Sequence, residues 1–389
     1  WVSNGTYVVN SPVSVTADIT VCGTNGPAAT IVDGNATSRC FVLDSPGAVV
    51  DGLTLTNGLW NAEGSGLLLN RGTASNCVVT GCRSYRAVRL SGGTLLGCSI
   101  INNTNGNGGG LSMAGGTARN CAITNNTAYY GVRPDVYGGA GVYISAGTLA
   151  GSTVAWNQMQ YGEYGWGSGV YMAGGLVSNC MIRNNGALSG GGNHQRGAGV
   201  AIKGGTLYQC TVVSNLVTAP LTTAGGGVYM DSPGGVVDRC LVAYNEMRSG
   251  TTAGYGGAGV DVASGVLRNS VIAGNWVNGV NASSYGGGVK MDGGRMENCA
   301  VVRNAANGQL SDGGGMYWTA GAITNCIFYN NTTRSGGAIA NTTTNAVYSC
   351  APELTNGPGN ITSDPAFILS GSGSGLSATL GDYHLLART

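Results

Sequence analysis

Three aspartates and a lysine recur within one repeated phrase. Asp231 ends "GGGVYMD" (225–231), Asp261 lies in "GAGVDVA" (257–263), and Lys290 and Asp292 lie in "GGGVKMD" (286–292). If copies of the phrase stack at strand spacing, Asp231 and Asp292 share a column two copies apart. That places them about 9–10 Å from one another, near the separation of an inverting glycosidase's carboxylates. Both residues also precede turns, where Asp is favoured because its side chain bonds its own backbone. Asp261 and Lys290 fall in one outward column on adjacent copies, which predicts a surface ion pair worth about 0–1 kcal/mol. His194 and His384 are the only histidines, and His194 sits in the Gly-rich "GGGNHQRG" (190–197), which reads as a solvated loop. No spacing of His, Cys or carboxylates marks a metal site, and no cofactor motif is present. "GGAGVD" (256–261) fits part of a calcium-binding nonapeptide, but that site requires tandem copies. "VAIK" (200–203) lacks the other kinase signatures, and no Gly-Lys-Ser/Thr phosphate loop exists.

The elements that must position these groups follow from the repeat itself. The pattern Cys-x-apolar-x-x-Asn starts at Cys98, Cys121, Cys180, Cys210, Cys240, Cys299 and Cys326, with Ser152 and Ser270 filling the same slot. Cys77 starts a copy that ends in Cys82 instead of Asn. Each copy follows Gly-rich punctuation and an apolar-x-apolar strand such as Val142–Ile144, Val170–Met172 or Val228–Met230. Period two means a strand with one buried face, and no stretch has the three-to-four-residue period of a helix. A repeat of this length, with short strands and tight turns, predicts an all-β, single-stranded, right-handed parallel β-helix. About a dozen coils at strand spacing would form a rod on the order of 60 Å long.

Stacking turns the repeated slots into ladders. The Asn column is Asn103, Asn126, Asn157, Asn185, Asn215, Asn245, Asn275, Asn304 and Asn331. Asn tolerates left-handed backbone, and stacked amides bond those above and below. Cys180, Cys210 and Cys240 typify a second interior file. Neighbouring ladder cysteines would stand about 4.8 Å apart, too far for a disulfide, so they read as small buried hydrophobes. Off-ladder Cys22, Cys40, Cys82 and Cys350 remain disulfide candidates, with Cys22–Cys40 the first pair to test. Three regions follow: less regular coils over 1–75, regular repeats over 76–331, and a terminal coil with a C-terminal region over 332–389.

Composition narrows the partners. Charged residues are 9% of the chain, the net charge is +1 and only two lysines occur, so no basic stripe exists for nucleic acid. No apolar run is long enough to span a bilayer. Glycine is 71 of 389 residues without a Gly-X-Y period, which excludes collagen. The chain opens at Trp1 inside a strand-like pattern, from which a removed N-terminal segment is inferred. Neither end shows a cap, so self-association through open strand edges is expected, end to end into a filament or side by side.

Coil length varies mainly after the Asn ladder, in segments 127–137, 158–166, 186–196, 216–224, 246–255 and 276–285. They are expected to leave the rod at one corner and form one face. Tyr129, Tyr130, Tyr137, Tyr161, Tyr164 and Trp166 concentrate in the first two and are the candidate ligand-binding residues, suited to sugars or protein. Rings packing on the rod would produce the same clustering. An outward column of Met181, Thr211, Leu241, Val271, Ala300 and Ile327 is unusually apolar. It predicts either a lateral contact surface or a surface lying beneath other segments.

"NCIFYNN" (325–331) and "SGGAIA" (335–340) resemble motifs of polymorphic outer-membrane adhesins. The stretch from Asn345 to Ala387, with "NAVYSC", "GNITSDPAFI" and "GDYHLLA", resembles the end of secreted β-helix proteins carrying a choice-of-anchor Q region. The resemblance covers most of the chain and implies an extracellular or cell-surface location, without implying a reaction. Signatures of the polygalacturonase-like hydrolases and pectate lyases are absent. The sequence therefore points to a non-catalytic structural or adhesive solenoid, with self and surface glycans as partners. The alternative is a carbohydrate-active protein that binds or cleaves polysaccharide; it requires two carboxylates and a basic residue on one outer face.

Overall fold

The computed structural model describes all residues except 106–108, 130–137, 161–163, 189–193, 219–221, 250–254, 280–282, 309, 335–338, 341–345 and 387–389. Of the expected aromatic cluster, Tyr130, Tyr137 and Tyr161 lie outside the described residues. The chain is a parallel β-solenoid of about ten turns, 54% strand and 1% helix. The last stretch leaves the stack and returns as an antiparallel hairpin, Phe367–Leu369 with Asp382–Leu385. Two compact units are present, Trp1–Gly190 and Gly191–Thr389.

One coil of the second unit shows how the phrase folds. Val289–Met291 and Arg295–Glu297 lie in a first sheet, Ala300–Val302 in a second, Ala305–Ala306 in a third and Leu310–Asp312 in a fourth. The strand residues of this coil pair in parallel with their counterparts one coil away, as in Asp261↔Lys290 and Lys290↔Tyr317. The inserts were expected to leave the stack. Instead, their flanks form the third and fourth sheets, for example Glu246–Ser249 and Tyr255–Gly256. A segment that stays at coil spacing can pair its backbone, whereas one that departs must leave those groups unpaired.

Alternation fills the interior. In the first unit Leu55, Val79, Ile100, Ile123, Val154 and Ile182 form one fully buried file. In the second unit Val212, Val242, Ile272, Val301 and Phe328 do the same. The "GGG" before each valine has two separate causes. Gly225, Gly257 and Gly286 hold φ between +61° and +68°, where a side chain is strained. Two residues on, a Cβ added to Gly227, Gly259 or Gly288 would come within 2.8 Å of a ladder Asn amide nitrogen.

The Asn ladder is the best-satisfied polar feature. Asn126 Oδ1 accepts the backbone N–H of Asn103 at 3.2 Å and its Nδ2 at 2.9 Å. Asn126 Nδ2 donates to Ile100 O and to Asn157 Oδ1, both at 2.9 Å. In the second unit Asn245, Asn275, Asn304 and Asn331 repeat the arrangement. The left-handed backbone is displaced by one residue from expectation: it falls on Asn102, Asn125, Asn184 and Asn330, just before the ladder. The ladder Asn itself faces inward, because its amide is needed to bridge coils.

The thiol file also does more than fill space. Cys98 Sγ accepts the Cys77 N–H at 3.4 Å and faces Leu96 O at 3.5 Å. Ser152 Oγ does the same work, accepting from Cys121 N at 3.0 Å and donating to Ala150 O at 2.9 Å. No disulfide joins any of the twelve cysteines. The Cys22–Cys40 pair is therefore not formed: Cys22 Sγ lies 3.6 Å from Asp51 Oδ2, and Cys40 Sγ lies 3.2 Å from Thr56 O.

Candidate functional site

In the second unit the outward column of the first sheet is Ala201, Tyr229, Asp261, Lys290 and Tyr317. Strands of the fourth sheet lie over it. Arg196 Nη1 donates to Tyr229 Oη at 2.7 Å, and the Tyr285 ring sits 4.4 Å from that of Tyr317. Gly256 lets Lys290 pass, since a Cβ there would meet its Cδ at 2.2 Å. Asp261 is thereby 3% exposed, which corrects the expected surface pair: Lys290 Nζ stands 3.8 Å away inside a covered layer.

The charges divide into pairs. Lys203 Nζ donates to Asp231 Oδ2 at 2.5 Å, and Tyr229 Oη donates to the same oxygen at 3.3 Å. Lys290 donates to Asp292, whose other oxygen accepts from Thr319 Oγ1 at 2.7 Å. Burial pushes the Asp261 carboxyl up to about 7, against the opposing pull of Lys290. Burial acts to lower Lys290, but Asp261 and then Asp292 outweigh it and the net shift is upward. The ladder is interrupted after Met230, where Asp231 comes to face Ser264, so the aspartates do not form an uninterrupted column.

The first unit has a related covered layer. Arg89, Ser112, Tyr143 and Tyr171 share the outward column. Glu63 takes hydrogen bonds from Arg86, Arg89 and Ser112. Arg86 lies 4.5 Å over the Tyr143 ring, which stacks on Tyr171 at 5.5 Å. Trp166 is 6% exposed and packs against Tyr171 at 6.3 Å. Tyr129 is half-buried, and Tyr164 lies in the Tyr164–Trp166 strand.

A groove of about 780 Å³ opens elsewhere in the second unit. Its floor is the apolar outward column of the second sheet: Leu241, Val271, Ala300 and Ile327. The C-terminal hairpin lies beside this surface: Phe367 clusters with Ala273 and Val302, and Val271, Ala300, Ile327, Leu380 and Tyr383 pack around that cluster. Three residues hold the hairpin's return in place. Arg303 donates from Nε to Ser370 O at 2.5 Å, from Nη2 to Gly371 O at 2.6 Å and from Nη1 to Gly373 O at 2.7 Å. Tyr244 Oη donates to Ala378 O at 3.0 Å, and Gly274 lies against Gly375. All three occupy the left-handed slot before the ladder, which Asn fills at residues 102, 125, 184 and 330. Trp156 and Ser214 also replace Asn in this slot, so the departure alone does not mark a docked segment.

One groove wall is an exposed amide file. Asn325 Nδ2 donates to Asn298 Oδ1 at 2.8 Å, Asn298 Nδ2 to Asn269 Oδ1 at 3.1 Å, and Asn269 Nδ2 to Asp238 Oδ1 at 2.8 Å. The other wall is the run from Leu380 to Leu385. Among the described residues no group of three His, Cys, Asp or Glu could hold a metal ion, and no helix is long and apolar enough to cross a membrane. Against models of protein families, curated proteins and solved structures, the chain finds no match.

Proposed function

We propose that the protein is a non-catalytic structural or adhesive solenoid of the cell exterior, binding partners along its flanks and associating with copies of itself. The observation that supports this most is the contrast between its two polar surfaces. The carboxylates around the charged column are engaged by neighbouring side chains, Asp231 by Lys203 and Tyr229 and Asp292 by Lys290 and Thr319, and Asp261 is buried. The groove, by comparison, is open and lined mainly by apolar side chains and amides, with Arg239, Asp382 and His384 among them. The resemblance of the C-terminal stretch to choice-of-anchor proteins agrees with a surface role.

The test is incubation of purified protein with neutral and acidic polysaccharides, followed for new reducing ends or unsaturated products and, separately, for retention on the insoluble polymers. Retention without products is the expected outcome. Light scattering should show mass growing with concentration; product formation would sink the reading.

A further inference from the structure

We propose that the groove beside the C-terminal hairpin is a docking site for an extended polypeptide segment, which adds as a strand to the free edge of Asp382–Leu385. This deepens the adhesive reading and rests on it. The hairpin is a two-stranded sheet, so Asp382–Leu385 has a partner on one side only. Leu380–Leu385 line the groove while Phe367–Leu369 do not, which sets this strand beside the groove; within it the His384 N–H is bonded to Asp382 Oδ1 at 3.1 Å. Such an edge presents a row of N–H and C=O groups that template a further strand.

The dimensions agree. The hairpin crosses the coils: Phe367 packs near Tyr329, residues 370–373 on Arg303, and Ala378 on Tyr244. Three coil steps from Leu241 to Ile327 span about 14 Å, and four strand residues about 13 Å. An added strand of that length would lie along the floor and turn two alternate side chains, about 6.7 Å apart, onto the column from Leu241 to Ile327. Asn269, Asn298 and Asn325 use one Nδ2 hydrogen and at most one oxygen lone pair each in their file. The second hydrogen of each amide is available to the incoming backbone.

Charge sets the polarity of the segment. Arg239 lies at the Leu241 end, is exposed, donates to Tyr208 Oη at 3.2 Å and has no carboxylate partner among the described residues. A segment of alternating apolar residues with a carboxylate at that end fits best.

The probe is an array of seven-residue peptides with Val or Ile at alternate positions and Glu at either end, with fluorescence polarisation of the best binders in solution. Matched peptides N-methylated at alternate amides serve as controls, because they keep the side chains and remove the strand donors. Expected are binding that needs the alternation, a loss of at least tenfold on N-methylation, and a loss of at least fivefold in Arg239→Glu. Arg239 is exposed, so that variant keeps its fold; Val271→Glu should weaken binding further. Equal binding of methylated peptides, or binding indifferent to Arg239→Glu, would overturn the proposal. Hexose oligosaccharides bound in place of peptides would overturn it while leaving the adhesive reading standing. Polysaccharide cleavage would remove the adhesive reading without touching the peptide result.

Discussion

Cysteine and serine exchange freely in one slot because both atoms do the same two jobs: they accept an N–H from one coil and face a carbonyl two residues back. Cys98→Ser should accordingly change stability by less than about 1 kcal/mol, whereas Cys98→Val should cost about 1–3 kcal/mol by orphaning the Cys77 N–H. Urea midpoints of the two variants check this; a serine variant as damaged as the valine one would show that packing alone matters. Asp261 makes a second prediction at this scale. Its folded-state value near 7 lies above the ordinary 3.8, so the folded chain keeps a proton that the unfolded chain releases. Its cost is absent below about 3.8, grows as pH rises to about 7 and is constant above, reaching at most about 4 kcal/mol. Asp261→Asn should be near neutral at pH 4 and stabilising at pH 8. A variant that lost stability at pH 8 would mean that the charged pair with Lys290 outweighs burial. The serines at 152 and 270 made the first of these readable from sequence. The burial of Asp261 was not, because it depends on fourth-sheet strands that the Gly-rich inserts disguise.

At the scale of elements, the hairpin is fastened through residues that break the repeat. Arg303 is 8% exposed and gives three charge-assisted hydrogen bonds to carbonyls between Ser370 and Gly373. Gly371, Gly373 and Gly375 all hold positive φ, and the turn they form aims those carbonyls at one guanidinium. Arg303→Gln should cost about 3 kcal/mol locally and release residues 367–386. Hydrogen exchange should then rise there while Ala300–Val302 keeps its protection; unchanged exchange would mean that Phe367 and Tyr383 suffice. The short strands and their order were readable from period two and the Gly punctuation. The hairpin was not, since its two strands are far from the repeat in pattern. Its contacts fall on Tyr244, Gly274 and Arg303, but Trp156 and Ser214 break the same Asn slot elsewhere, so the sequence alone did not single these out. The apolar outward column was readable: Val271, Ala300 and Ile327 pack beside the cluster that Phe367 forms with Ala273 and Val302.

At the scale of the molecule, each unit is stabilised as a stack, with every coil depending on its neighbours. Gly259 illustrates how little room the stack leaves. Gly259→Ala would drive a methyl against Gly288 O, Ile272 and the Asn275 amide, at 2.5–2.8 Å. It should cost about 2–3 kcal/mol and lower the thermal midpoint, while an Ala at the open Gly234 should not. All of these expectations presuppose that like slots lie over one another in register. A crystal structure of the full chain tests that directly. It should show the side-chain amides of Asn245, Asn275, Asn304 and Asn331 joined in one file at about 3.0 Å, with Phe367 seated on Ala273 and Val302. Asparagines scattered among different faces, or a hairpin standing away from the second sheet, would contradict the account.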